Sequence, residues 1–293
     1  MASFFKNYFH GKPGKRDFTE ADLPENRLQL FRQVLGVRMG SMVGLNLLYL
    51  LIWLPAIAWS ALSYLQLVIL DEPTAELLQQ ILYTWLLILF PLIAITGPFN
   101  VGVSYVLHRW ARDEHSFTFG DFRSGMKENW KQGLLFSALD GLVPLLLFLC
   151  GRFYLSLAGQ SALYLLPLVA VAAAALVWFL AAPIVPVLIV SYSQSFGGLL
   201  RNAILMTLAQ LPRSVAIRLA TLVVPIFTFL AVLFFPGALS WITSVALILY
   251  MVILLAFNRL IWASYANFLG EKYLNSKIPG APTDIGLRPK ELP

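Results

Sequence analysis

Apolar positions along the chain gather into six long runs, at about 39–69, 77–107, 133–150, 161–193, 215–235 and 239–262. A helix needs about 20 apolar residues to cross a hydrocarbon core, and each run can supply such a span. Prolines punctuate them: Pro55 in the first, Pro91 and the Gly97-Pro98 pair in the second, Pro167, Pro183 and Pro186 in the fourth, Pro225 in the fifth. The second and fourth runs exceed one span, which predicts tilt, a kink or extension beyond the bilayer. The expected fold is an all-α polytopic membrane protein with six transmembrane helices and amphipathic cytoplasmic connecting helices. It divides into a cytoplasmic N-terminal segment (1–35), a six-span membrane domain (36–268) and a flexible cytoplasmic tail (269–293). Pro279, Pro282, Pro289 and Pro293 mark that tail, which reads as disordered from Asn275.

The two long connections resemble each other under a 78-residue shift. Gly120 falls on Gly198, Arg123 on Arg201 and Gln132 on Gln210. A parallel three-plus-three internal repeat, spans 1–3 matching spans 4–6, is one reading of that register.

Composition agrees with a membrane chain. Of 293 residues, 59% are hydrophobic and 12% charged, about half the charged share of soluble domains. Mean hydropathy is +0.74. The net charge of +6 raises nucleic acid as a partner only on a soluble protein. Here charge placement explains it better. All but Arg152 of the 21 Lys and Arg residues fall before the first span, after the second, after the fourth, or at the end of the sixth and beyond. The first outer loop holds Asp71, Glu72 and Glu76 and no base. The positive-inside rule then places both termini in the cytoplasm, with the lipid bilayer as the main partner and no nucleic acid. The N-terminus lacks the form of a secretory signal.

Few side chains point to chemistry. Cys150 is the single cysteine, so no cysteine cluster can hold a metal. His108 and His115, beside Asp113 and Glu114, lack a third ligand and read as a surface pair. No phosphate-binding loop, zinc-protease motif or nucleophile elbow is present, so neither a cofactor nor a catalytic set is expected, and the chain reads as a non-enzyme. Asp140 is the one acid inside a predicted span, and the 78-residue shift sets it opposite Arg218. Intramembrane charges are costly and usually paired. An Asp140–Arg218 ion pair is expected, with independent snorkelling at the interface as the alternative.

Asp121 is placed to cap a helix opening at Phe122. On it Phe122, Met126 and Trp130 share one face, and Arg123, Lys127 and Lys131 an adjacent one. Such a helix lies in the membrane interface, as an amphipathic linker or as a docking surface for a partner. Gly36, Gly40 and Gly44 form two overlapping Gly-x-x-x-Gly steps, and Gly133, Ser137 and Gly141 a second small stripe. Both allow close helix approach, inside the chain or to another subunit. Asn46, Asn100 and Asn258 suit hydrogen bonds between helices.

Two stretches resemble the YesL-like family of bacterial integral membrane proteins. One is Leu45-Asn46-Leu47-Leu48-Tyr49-Leu50-Leu51-Ile52-Trp53-Leu54-Pro55. The other holds Gly97-Pro98, Tyr105, Arg112-Asp113-Glu114, Asp121-Phe122 and Lys127-Glu128-Asn129-Trp130-Lys131-Gln132. Arg201-Asn202-Ala203 and Leu211-Pro212-Arg213 extend the likeness, and Phe99-Asn100 departs from the small residues common in that family. The resemblance covers roughly residues 30–215. It implies a bacterial plasma-membrane protein whose genes lie beside ABC-type sugar importers and glycoside hydrolases. An accessory or regulatory, non-catalytic subunit for carbohydrate uptake, bound to sugar-permease subunits, is the implied role. The alternative is an autonomous small-molecule transporter or channel with a mid-membrane polar path.

Overall fold

A computed structural model describes residues 23–70 and 73–289. Residues 1–22 of the expected N-terminal segment, Asp71, Glu72 and residues 290–293 lie outside the described residues. Nine α-helices fill the described chain: α1 (Arg27–Ile69), α2 (Ala75–Trp110), α3 (Thr118–Ala158), α4 (Leu165–Ala181), α5 (Val185–Ser191), α6 (Phe196–Ala209), α7 (Leu211–Phe234), α8 (Leu239–Leu249) and α9 (Leu255–Tyr273). A five-residue π-helix, Tyr250–Leu254, joins α8 to α9 without a break. A 3-10 turn at Ala182–Ile184 joins α4 to α5. Among the described residues, six helical segments are long and apolar enough to cross a membrane: Arg27–Ile69, Ala75–Trp110, Thr118–Ala158, Ala162–Ser191, Leu211–Phe234 and Pro236–Lys277.

Local chemistry sets the helix starts. Asn26 caps α1 by accepting from Gln29 N at 3.0 Å, and the Gln29 side chain accepts in turn from Glu25 N at 2.8 Å. Thr74 caps α2 and Ser195 caps α6 in the same way. Pro212 sits in the first turn of α7, where its missing N–H costs nothing. Pro55, Pro91, Pro98, Pro144 and Pro225 all lie inside unbroken helices. Among the prolines of the described residues, only the Pro183 and Pro186 pair interrupts a span.

The first three helices hold 43, 36 and 41 residues, or about 65, 54 and 62 Å, against a hydrocarbon core of about 30 Å. They extend past the core at the charge-rich end, and there the protein has its soluble-like core. Leu30 and Val34 of α1, Val103 to Trp110 of α2, Leu199 of α6 and Leu260 to Leu269 of α9 meet in it. The opposite end is open. Leu166 of α4, Phe227 of α7 and Trp241 of α8 stay exposed there, as lipid-facing helix surfaces do.

One expectation is corrected at α3. No separate interfacial helix opens at Phe122. Helix α3 starts at Thr118 and runs unbroken to Ala158, so the stretch 122–132 is the first three turns of the third span's own helix. Asp121 does not cap it. It lies in the first turn and pairs with Arg109 at 3.1 Å.

Glycine geometry makes α2 and α3 the tightest pair. A Cβ on Gly133 would lie 2.7 Å from the Gly97 carbonyl oxygen, and one on Gly102 2.7 Å from that of Phe122. A Cβ on Gly97 would collide with the Gly133 carbonyl in return. Backbone carbonyls so close exclude any side chain. By contrast, a Cβ on Gly36, Gly40 or Gly44 would meet nothing within 4 Å, so among the described residues this stripe packs on no other helix.

The described part of the expected tail makes contacts of its own. Residues 275–289 fold back over the charge-rich end. Arg288 N donates to Pro24 O at 2.8 Å, and its guanidinium meets Glu25 at 3.2 Å. Arg27 pairs with Glu271, whose other contact is a 2.7 Å hydrogen bond from Asp284 N. Gly286 has φ +78°, and a Cβ there would lie 2.8 Å from Arg112 O. Tyr192 donates to Asn275 at 2.8 Å. Burial, with Glu271 nearby, pushes its phenol up to about 12, so it keeps that donor proton. The sequence hid this because the contacts join groups far apart in the chain, several of them backbone. Glu271→Gln leaves the Arg27 guanidinium without its carboxylate, a loss of about 2 kcal/mol. Limited trypsinolysis in detergent should then cut after Lys277 about tenfold faster or more than in wild type.

Candidate functional site

A cavity of about 860 Å³ opens among α1, α3, α4, α7, the π-helix and α9. Tyr49 and Trp53 line it from α1, Asp140 from α3, Trp178 and Phe179 from α4, Arg218 from α7, and Asn258, Arg259 and Trp262 from α9. Two guanidinium groups and one carboxylate thus share a space within the six-span bundle.

Each charge is held by aromatic partners. Asp140 accepts from Trp178 Nε1 at 3.0 Å, and the Trp178 ring leans on Phe136 at 6.0 Å. The Arg218 guanidinium lies 3.9 Å from the Phe179 ring centre and 4.9 Å from that of Trp262. It also donates to the Phe179 carbonyl, while its Nε is buried without a partner among the described residues. Arg259 donates from Nε at 2.9 Å and from a terminal nitrogen at 2.6 Å to the Tyr49 hydroxyl. Cation–π contacts of this kind are worth most where water is scarce.

The π-helix aims Arg259. One inserted residue turns the following helix by about 100° relative to an unbroken one. Fully buried Asn46 holds the insertion in place. Its amide donates to Tyr250 O at 2.9 Å and Met251 O at 2.8 Å, and its oxygen accepts from Ala256 N at 2.9 Å. Asn258 reaches Thr221 O at 3.3 Å and ties α9 to α7. Asn100 reaches Ser137 at 3.2 Å across the α2–α3 contact.

The direct Asp140–Arg218 pair is not formed. Both residues face the cavity, but Arg218 is turned onto Phe179 and Trp262, and Asp140 onto Trp178. Arg259 is the member that sequence reasoning placed elsewhere, among the bases at the end of the last span. Its signal was present, because it stands inside an apolar run with Leu255 to Phe257 before it and Leu260 to Trp262 after it.

The proposed docking face on α3 divides. Phe122 is buried against Gly102, and Met126 packs on the core. Arg123, Lys127, Trp130 and Lys131 remain exposed, with the Lys131 ammonium 5.6 Å from the Trp130 ring. Gly97 packs tightly, and neighbouring Pro98 is half-buried.

His108, expected at the surface, is buried and forms a hydrogen-bonded clamp. Arg112 can only donate, and it meets Nε2 at 3.0 Å, so Nδ1 carries the proton and donates to Asn267 at 2.6 Å. Asn267 returns a bond to His108 O at 3.2 Å. Ser191 lies 3.2 Å from the same Nδ1 but donates to Val187 O, so the two are not arranged as nucleophile and base. Outside the spans, Asp113 takes the left-handed conformation, φ +55°, that ends α2. Burial raises its carboxyl while Arg38 draws it back. Among the described residues no three potential metal ligands come together. No family model, curated protein or solved structure matches this chain.

Proposed function

We propose that this chain is a membrane carrier that binds an organic anion in the cavity between Asp140, Arg218 and Arg259. The observation that carries the reading is the pair of arginines facing one space with a single acid among them. Charges inside a bilayer are retained where they serve a ligand or a path. Two bases and one acid leave an excess of one positive charge. Trp53, Trp178 and Trp262 add flat apolar walls, and Asn258 adds an amide. The charge-rich end, with the folded tail, faces the cytoplasm of a bacterial plasma membrane in this reading, following the distribution of Lys and Arg.

The test is charge displacement on a solid-supported membrane carrying the reconstituted protein. Rapid addition of glucose 6-phosphate, glucuronate or dodecyl phosphate should give a saturable current with at least one of them. Arg218→Gln together with Arg259→Gln should remove it. No current with any of the three would overturn the carrier reading.

A second reading has its own support. Exposed Arg123, Lys127, Trp130 and Lys131, and the uncovered Gly36, Gly40 and Gly44 stripe, suit a subunit bound to another membrane protein. The likeness to the YesL-like family points that subunit to a sugar permease. Stoichiometric recovery of permease subunits with the tagged protein in mild detergent would favour it.

A further inference from the structure

We infer that the ligand is an amphiphile with one anionic head group, admitted from the bilayer through a side opening between α4 and α7. This rests on the cavity being the binding site proposed above.

The lining residues fall into two chemically distinct groups along the helices, a charged arm and an apolar arm. The charged arm holds Arg218, Arg259 and Asp140. The other is made of Leu147, Ala172, Ala175, Leu176, Leu222 and Pro225, with no polar side chain among them. A water-soluble anion has no use for such a wall, whereas an alkyl or isoprenoid chain buries there with about 0.8 kcal/mol per methylene. The wall is also incomplete. Leu176 and Phe179 line the cavity yet remain 61% and 44% exposed. Next to the lining residues Leu222 and Pro225 on α7, Val223 and Ile226 are likewise exposed, at 59% and 43%. The residues of α4 from Leu165 to Ala181 include no charged or amide side chain, so this opening lies at the depth of the acyl chains. At its charged end Arg218 of α7 reaches across to the Phe179 carbonyl and ring of α4 and closes the gap. A head group drawn to Arg218 and Arg259 therefore leaves its chain lying along the gap, toward lipid. The unpartnered Nε of Arg218 supplies a donor for that head group.

Asp140 makes the sign of the ligand testable. Asp140→Asn keeps an oxygen for Trp178 but removes the negative charge. Anion binding should then tighten about threefold or more, as a nearby like charge is lost. A cationic ligand would lose affinity instead.

The experiment is equilibrium binding to the full chain in a neutral maltoside detergent, read by isothermal calorimetry. The probes are dodecyl phosphate, dodecylphosphocholine and glucose 6-phosphate. The expected result is saturable binding of dodecyl phosphate, and none of the zwitterion or the sugar phosphate at the same concentrations. Arg218→Gln should weaken it about tenfold to a hundredfold, the usual effect of a lost charge-assisted contact, and Asp140→Asn should strengthen it. Ala175→Leu, which fills the apolar arm and leaves the charges in place, should weaken dodecyl phosphate. Equal binding of dodecylphosphocholine, or weakened binding in Asp140→Asn, would overturn the anionic head group. Binding of glucose 6-phosphate without dodecyl phosphate would overturn the amphiphile while leaving the cavity as an anion site. If no probe binds, the site and the amphiphile fail together. Binding without charge displacement would remove the carrier and keep the lipid site.

Discussion

Asn46→Leu is expected to cause the largest loss of stability of any single buried substitution outside the glycine contacts. Leucine repeats the branched outline of asparagine and suits a span, so hydropathy alone predicts a neutral or favourable change. The structure predicts the reverse. The Asn46 amide serves two carbonyls and one N–H of the π-helix and its exit, at Tyr250, Met251 and Ala256. In a medium without water each buried group left unpaired costs about 1–3 kcal/mol. The sum is about 3 kcal/mol or more. Thermal unfolding in maltoside, followed by size-exclusion fluorescence, should show a markedly lower midpoint. Survivors should have lost anion binding, because a relaxed helix turns Arg259 away from Tyr49 and out of the cavity. An unchanged midpoint with intact binding would show that the π-helix supports itself.

Gly97→Val should prevent assembly of the α2–α3 pair. A single methyl at 97 already meets the Gly133 backbone, and no rotamer moves a backbone carbonyl aside. Overpacking a tight core commonly costs about 1–3 kcal/mol. Here the obstacle is main chain, so the expected outcome is little or no monodisperse protein in detergent. Gly36→Val is the matched control. It adds the same atoms where nothing lies within 4 Å, and yield should match wild type. If both variants behaved alike, the contact would not determine assembly. If Gly36→Val alone failed, the uncovered stripe would be the contact that matters, through another molecule.

How much of this was readable in the sequence depends on whether the signal is local. Six spans were, because each is a long contiguous run of apolar residues. The continuity of α3 was not. The polar turns from Asp121 to Gln132 look like a separate amphipathic element, and nothing local says that the helix carries on through Gly133. The contacts of the tail were hidden for the opposite reason. Proline-rich, polar sequence usually stays loose, but here Glu271 and Arg27, 244 residues apart, collect it. In the cavity, Asp140 and Arg218 stood out as isolated charges in apolar runs. Their common space was legible, but the geometry was not. The rings of Phe179, Trp262 and Trp178 take the contacts that a simple pairing rule assigns to opposite charges. Arg259 was missed because bases near a span end are usually interfacial, and only the inserted residue at Tyr250–Leu254 turns it inward.

The close approach of α2 and α3 has a consequence for biogenesis. Two spans whose backbones touch at Gly97 and Gly133, joined by a short connection held by Arg109 to Glu114 and Asp121, form their contacts from neighbouring sequence alone. The pair therefore has what it needs to pair as a hairpin while the remaining spans are still being made. The later helices are then added against a finished two-helix wall, and α9, synthesised last of the spans, arrives to find the surface of Val103, Leu107 and His108 already in place.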